Sequence, residues 1–151
     1  MTGKSYTDTS TNVTSYTGGG AIYNSGTIDD IHADFEGNTA TSTDSSGVFG
    51  GALYSNGGTI NNINGTFKNN QVLSELGHTY GGAITTNGGA IVKNLQGNFI
   101  NNLAQSTTKG AYGAVISQGS ERDTSTAFEN ITGYFADNVA KALNAGNAQG
   151  G

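Results

Sequence analysis

Two tetrapeptides alternate along this chain in a fixed order. Gly-Gly-Ala followed by Ile or Leu stands at 19–22, 50–53 and 81–84, and a decayed copy, Tyr112-Gly113-Ala114-Val115, follows. Phe-x-x-Asn comes after each one, at Phe35 to Asn38, Phe67 to Asn70, Phe99 to Asn102 and Phe135 to Asn138. The alanines at 21, 52, 83 and 114 lie 31 residues apart, and the phenylalanines lie 32, 32 and then 36 apart. Self-similarity at such a period marks a solenoid, in which each repeat buries its apolar side chains only against its neighbours. The expected fold is all-β: a single-stranded, right-handed parallel β-helix (β-solenoid) of about four coils of about 31 residues. The coils would be 19–49, 50–80, 81–111 and 112–149.

Reading down the repeats gives the inward positions. Four residues before each Phe stand Ile31, Ile63, Leu95 and Ile131, and seven before stand Ile28, Ile60, Val92 and Phe128. The pairs after the Asn are Thr39-Ala40, Gln71-Val72, Leu103-Ala104 and Val139-Ala140. Spacings of three, four and seven also suit one helix face. Against a helix stand the short segments, Gly65 and Gly97 inside them, and the surrounding Asn, Thr and Gly. Each coil is therefore expected to hold about three strands. In the first coil these are Ala21–Asn24, one near Thr27–Asp29, a corner, and one near Ile31–Phe35. A loop would follow over Thr39–Phe49. A short helical turn over Lys141–Ala145 is the one helical expectation.

Composition agrees with this reading. Only 34% of the residues are hydrophobic and 11% charged, and the chain has 25 Gly and no Pro or Cys. A disordered chain of such polarity would carry more charge. A stacked sheet has no place for Pro, which removes a ladder donor. The lack of Cys excludes disulfides and thiolate metal sites. With a formal charge of -5 and six Lys and Arg there is no basic stripe, which argues against nucleic acid and against anionic membrane surfaces. No apolar run is long enough to insert into a membrane. Residues 1–18, rich in Ser and Thr, form a partial N-terminal coil, a cap or a tail. In the first case Tyr6-Thr7-Asp8-Thr9 would be a degraded corner. The start has no apolar region of a secretory signal.

Four groups invite a functional reading. The first is the structural ladder. Asn38, Asn70, Asn102 and Asn138 are expected to bond from coil to coil, and Phe35, Phe67, Phe99 and Phe135 to stack. The second is Tyr23, Tyr54, Tyr80 and Tyr112, near the Gly-Gly corner, which line a binding face or pack beside that corner. The third is Asp29, Asp30, Asp34 and Glu36, whose counterparts Asn61, Asn62, Thr66 and Lys68 do not build up an acidic calcium site. The single Arg, Arg122, lies in the insert Gly119–Ser125. The fourth is His32 and His78, which occupy different repeat positions and have no zinc spacing. The Gly-Gly pairs lack the Lys and following helix of a phosphate loop. No catalytic, cofactor or metal site is expected.

The alternation of the two tetrapeptides resembles the passenger domains of autotransporters, especially the chlamydial polymorphic membrane proteins. The likeness covers about 19–140. It implies a secreted, cell-surface β-helix without enzymatic activity, found outside the cell or on a bacterial outer membrane. It also implies a role in adhesion or as a stalk, with a host-cell or glycan receptor as partner. A signal would have been removed. The family's translocator barrel is absent from this sequence, and its usual cysteines are missing. A second expectation is a filament subunit that stacks head to tail through uncapped coil ends.

Overall fold

The computed structural model describes residues 7–8, 13–14, 17–118 and 127–150. Its strands stack in parallel as a β-solenoid of about four turns. Four sheets run along the stacking direction, and each coil contributes to all four. The first sheet holds the long strands Thr59–Lys68, Ile91–Ile100 and Phe128–Ala136, with Thr27–His32 and Phe35–Glu36 in the first coil. The second holds Thr39–Ser42, Gln71–Ser74, Leu103–Ser106 and Val139–Ala142. The third holds Thr17–Gly18, Val48–Phe49, Thr79–Tyr80, Ala111–Tyr112 and Ala148–Gln149. The fourth holds Ile22–Asn24, Leu53–Asn56, Ile84–Asn87 and Ile116–Gln118.

Several expectations are corrected. The segment Thr39–Phe49 is not a loop, because both its ends are strands of the second and third sheets. The spacing of three between Ile60 and Ile63 does not break the strand. Pairing runs from Ile60↔Val92 to Asn62↔Asn94 and skips one residue on each strand, so the strand bends while the ladder continues. Residues Val139–Ala142 are a strand paired with Leu103–Ser106, and this pairing overrides local helix preference at the expected helical turn. The last repeat is shifted by one: Ile84 pairs with Ile116, which aligns Ala83 with Val115 and sets Ala114 in the second glycine position. Thr17–Gly18 already belongs to the third sheet, so the solenoid begins two residues before Gly19. Thr7–Asp8 pairs antiparallel with Val13–Thr14 and does not stack as a parallel coil. Tyr6, Thr9 and the insert with Arg122 lie outside the described residues.

The two glycines of each pair act differently. Gly50 has φ +56° and Gly81 has φ +62°, a region Gly occupies without strain. A Cβ on Gly51 would run into the Gly82 carbonyl oxygen of the next coil. The other corner solves the same turn with Gly37, Asn69, Asn101 and Asp137, each at φ between 53° and 67°. These are the residue types that best tolerate left-handed backbone.

The core has two parts. The larger lies between the first and fourth sheets and contains Ile31, Leu53, Ile60, Ile63, Phe67, Ile84, Val92, Leu95 and Phe99. The smaller lies between the second and third sheets and is built of Ala40, Val48, Val72, Ala104 and Ala111. Phe35, Phe67, Phe99 and Phe135 form one stack, with ring centroids 4.7, 5.2 and 4.6 Å apart. The spacing follows from the strand separation of about 4.8 Å.

Beside the rings runs the asparagine ladder. Asn70 Nδ2 donates to the Phe35 carbonyl at 2.9 Å and to Asn102 Oδ1 at 3.0 Å. Its own Oδ1 accepts from the Asn38 backbone N–H at 3.1 Å and from Asn38 Nδ2 at 2.9 Å. Asn102 repeats the pattern with Phe67, Asn138 and Asn70. Asn138 Nδ2 reaches the Phe99 carbonyl at 2.9 Å. Asn70 and Asn102 are buried.

Phe67→Ala removes a fully buried ring held between two others, and should lower unfolding free energy by about 3–5 kcal/mol in denaturant titration. A loss below about 1 kcal/mol would contradict burial of that column. Asn70→Ala strands the Phe35 carbonyl and the Asn38 N–H, and should cost about 1–3 kcal/mol in the same measurement.

Candidate functional site

The ladder residues are occupied by stacking, so a site must be sought among side chains that face outward. The four tyrosines do not form one face. Tyr54 is buried, stacked on Phe49 at 5.0 Å, and its hydroxyl accepts from Asn87 Nδ2 at 3.2 Å. Tyr23, in the same column, is 56% exposed and meets the edge of Tyr54 at 5.4 Å. Tyr80 and Tyr112 belong to another column that continues Phe49, with centroids 4.9 and 5.3 Å apart. The division follows the glycine pair: Tyr23 and Tyr54 come after it, and Phe49, Tyr80 and Tyr112 come just before its first residue. As a binding face the set is therefore corrected. Tyr54 is core, Tyr23 is exposed, and Tyr80 and Tyr112 form a half-buried stack.

The acidic cluster of the first coil is tied to the second. Asn61 Nδ2 donates to Asp29 Oδ1 at 2.9 Å, Asn62 Nδ2 to Asp30 Oδ1 at 2.8 Å, and the Thr66 N–H to Asp34 Oδ1 at 2.7 Å. Lys68 pairs with Glu36 at 3.1 Å on the exposed surface. Each acid has a coil-to-coil partner. His78 Nδ1 accepts from the Gly110 N–H at 3.0 Å, and His32 is exposed beside Asn64 in register.

A further outward feature is larger than the hollows beside Gln105 and Tyr23. The outer face of the first sheet carries a groove of about 490 Å³, lined by Asp34, by 64–66, by 96–98 and by Thr132 and Gly133. Its floor is Gly65, Gly97 and Gly133, which pair in register. A Cβ on any of them would run into the carbonyl oxygen of the preceding coil, at Ala33, Gly65 and Gly97 in turn. Strand alternation points these positions inward, between Ile63 and Phe67 and their counterparts, yet the close carbonyl of the preceding coil leaves no room for a side chain. One wall is Asn64, Gln96 and Thr132, and the other is Asp34, Thr66 and Asn98. Because the lining residues of successive coils are in register, the groove runs along the stacking axis.

Two neighbouring columns of this sheet differ sharply. In one, Asn94 Nδ2 donates to Asn62 Oδ1 at 2.9 Å and Asn130 Nδ2 to Asn94 Oδ1 at 3.1 Å, which extends the link to Asp30. In the other, the side chains of Asn64, Gln96 and Thr132 make no hydrogen bond to a described residue, and neither does Asn98 on the opposite wall. Their amides and hydroxyl are open to the groove. The column Asp34, Thr66, Asn98 continues in register to Tyr134, which is 61% exposed. Gly65 and Gly97 are visible in the sequence as helix breakers. Only the register showed that they floor a groove.

No family model, curated protein or solved structure matches the chain.

Proposed function

We propose that this chain is a non-enzymatic recognition segment of a secreted or cell-surface protein, of the adhesin-like autotransporter-passenger type, located outside the cell or on a bacterial outer membrane. The observation that carries this reading is the axial groove. Repeat-invariant side chains are engaged in stacking, while the outer face of the long sheet offers, coil by coil, polar groups with no hydrogen bond to a described residue. Such a surface contacts an extended partner, a host-cell receptor or a glycan, without requiring a reactive group. The two tetrapeptides support the same reading through their resemblance to autotransporter passengers.

A bead-adhesion assay tests it. Beads carrying the folded chain should bind epithelial monolayers well above albumin-coated beads, and free chain should compete. Polygalacturonate should yield no product with or without calcium. Adhesion no better than albumin, or turnover of that glycan, would reject the reading.

A further inference from the structure

We propose that the axial groove is a subsite array for a neutral, linear polysaccharide of extended, equatorially linked hexopyranose units, lying parallel to the stacking axis. This inference rests on the reading of the chain as a surface recognition segment and deepens it by naming the ligand class. The walls present amide and hydroxyl groups, each able to donate or accept, with no hydrogen bond to a described residue. Sugar hydroxyls are matched donors and acceptors for such walls. The repeat of the walls is the coil rise, about 4.8 Å. An extended peptide presents same-side side chains every 6.4–6.8 Å or so, which falls out of step within two coils. One extended hexopyranose unit advances by roughly one coil, so successive rings meet successive wall positions.

Charge narrows the class further. Among the lining residues only Asp34 is ionic, and the chain carries a net charge of -5. Uronate and sulfate chains would be repelled. The glycine floor brings main chain close to the ligand and lets a flat ring settle between the walls. Tyr134 stands at the next position of one wall, exposed, where its ring offers an apolar face to a sugar at the end of the array. Short oligomers that span one or two coils should bind less well than longer ones, because subsites along one groove act on one ligand.

Calorimetric titration of the full chain with cellohexaose, mannohexaose and a trigalacturonate control tests the proposal. At least one neutral hexasaccharide should bind more tightly than its disaccharide, with little dependence on salt. Gln96→Ala and Asn98→Ala should each weaken binding by about 3- to 10-fold, as expected for loss of one hydrogen bond to an uncharged ligand. Tyr134→Ala should weaken the hexasaccharide more than the disaccharide. Gln105→Ala, on the second sheet away from the groove, should leave binding unchanged, and thermal melting should show that all variants are folded. Absence of binding by both neutral hexasaccharides at millimolar concentration, equal binding of the uronate, or indifference to both wall variants would overturn the proposal. Bead adhesion that persists under any of those results would sink the glycan assignment alone. Hexasaccharide binding without adhesion would uphold the glycan assignment and sink the adhesion role. Loss of both would sink both.

Discussion

The corner amide is the interaction on which the stack depends. Where a strand of the first sheet turns into the second, the backbone passes through a left-handed residue. That residue still bonds from coil to coil, Asn69 N–H to the Ile100 carbonyl at 3.0 Å, but the N–H of the next residue, Asn70, takes the Asn102 side-chain oxygen, and buried polar groups without partners are costly. Asn70 answers for the Phe35 carbonyl behind it and the Asn38 N–H beside it, while joining the amides on either side. Asn is the neutral side chain of this length with both donors and an acceptor. Asp lacks the donors and would repel its copies, and Gln adds a methylene that displaces the amide.

This dependence explains which parts of the fold were legible in the sequence. Phe35, Phe67 and Phe99 recur at fixed spacing because a ring in one coil is the wall of the next, so identity down a column reports contact. The glycine pair was legible for the same reason. The fourth repeat misled because Ala114 keeps a spacing of 31 from Ala83, whereas the backbone register places Val115 beside Ala83. Ala114 takes the place of Gly51 and Gly82, so composition there does not fix register. Ladder bonds of the neighbouring strands do.

The strands within Thr39–Phe49 were hidden for a different reason. Thr39–Ser42 and Val48–Phe49 are short, and their inward residues are Ala40 and Val48, too few for a periodic signal. Their pairing across coils, not their local sequence, makes them strands. The bend at Asn61 was legible as a spacing of three, but spacing alone does not separate a bend from a break. Proximity to Gly-Gly makes the tyrosines look like one group in the sequence. Position before or after the first glycine decides the column, and so decides that Tyr54 is core while Tyr23 is exposed.

The same logic separates linked from unlinked columns on the outer face of one sheet. A column of neutral side chains joins itself readily from coil to coil when successive members match in length and offer both donor and acceptor. Asn62, Asn94 and Asn130 meet that condition and bond to one another. Asn64, Gln96 and Thr132 do not match, since Gln is longer and Thr shorter than Asn. Their polar ends make no hydrogen bond to a described residue across the groove floor. Variation down an outward column is therefore not simply relaxed constraint. Between glycines that deepen the surface, it keeps hydrogen-bonding groups available to something other than the next coil.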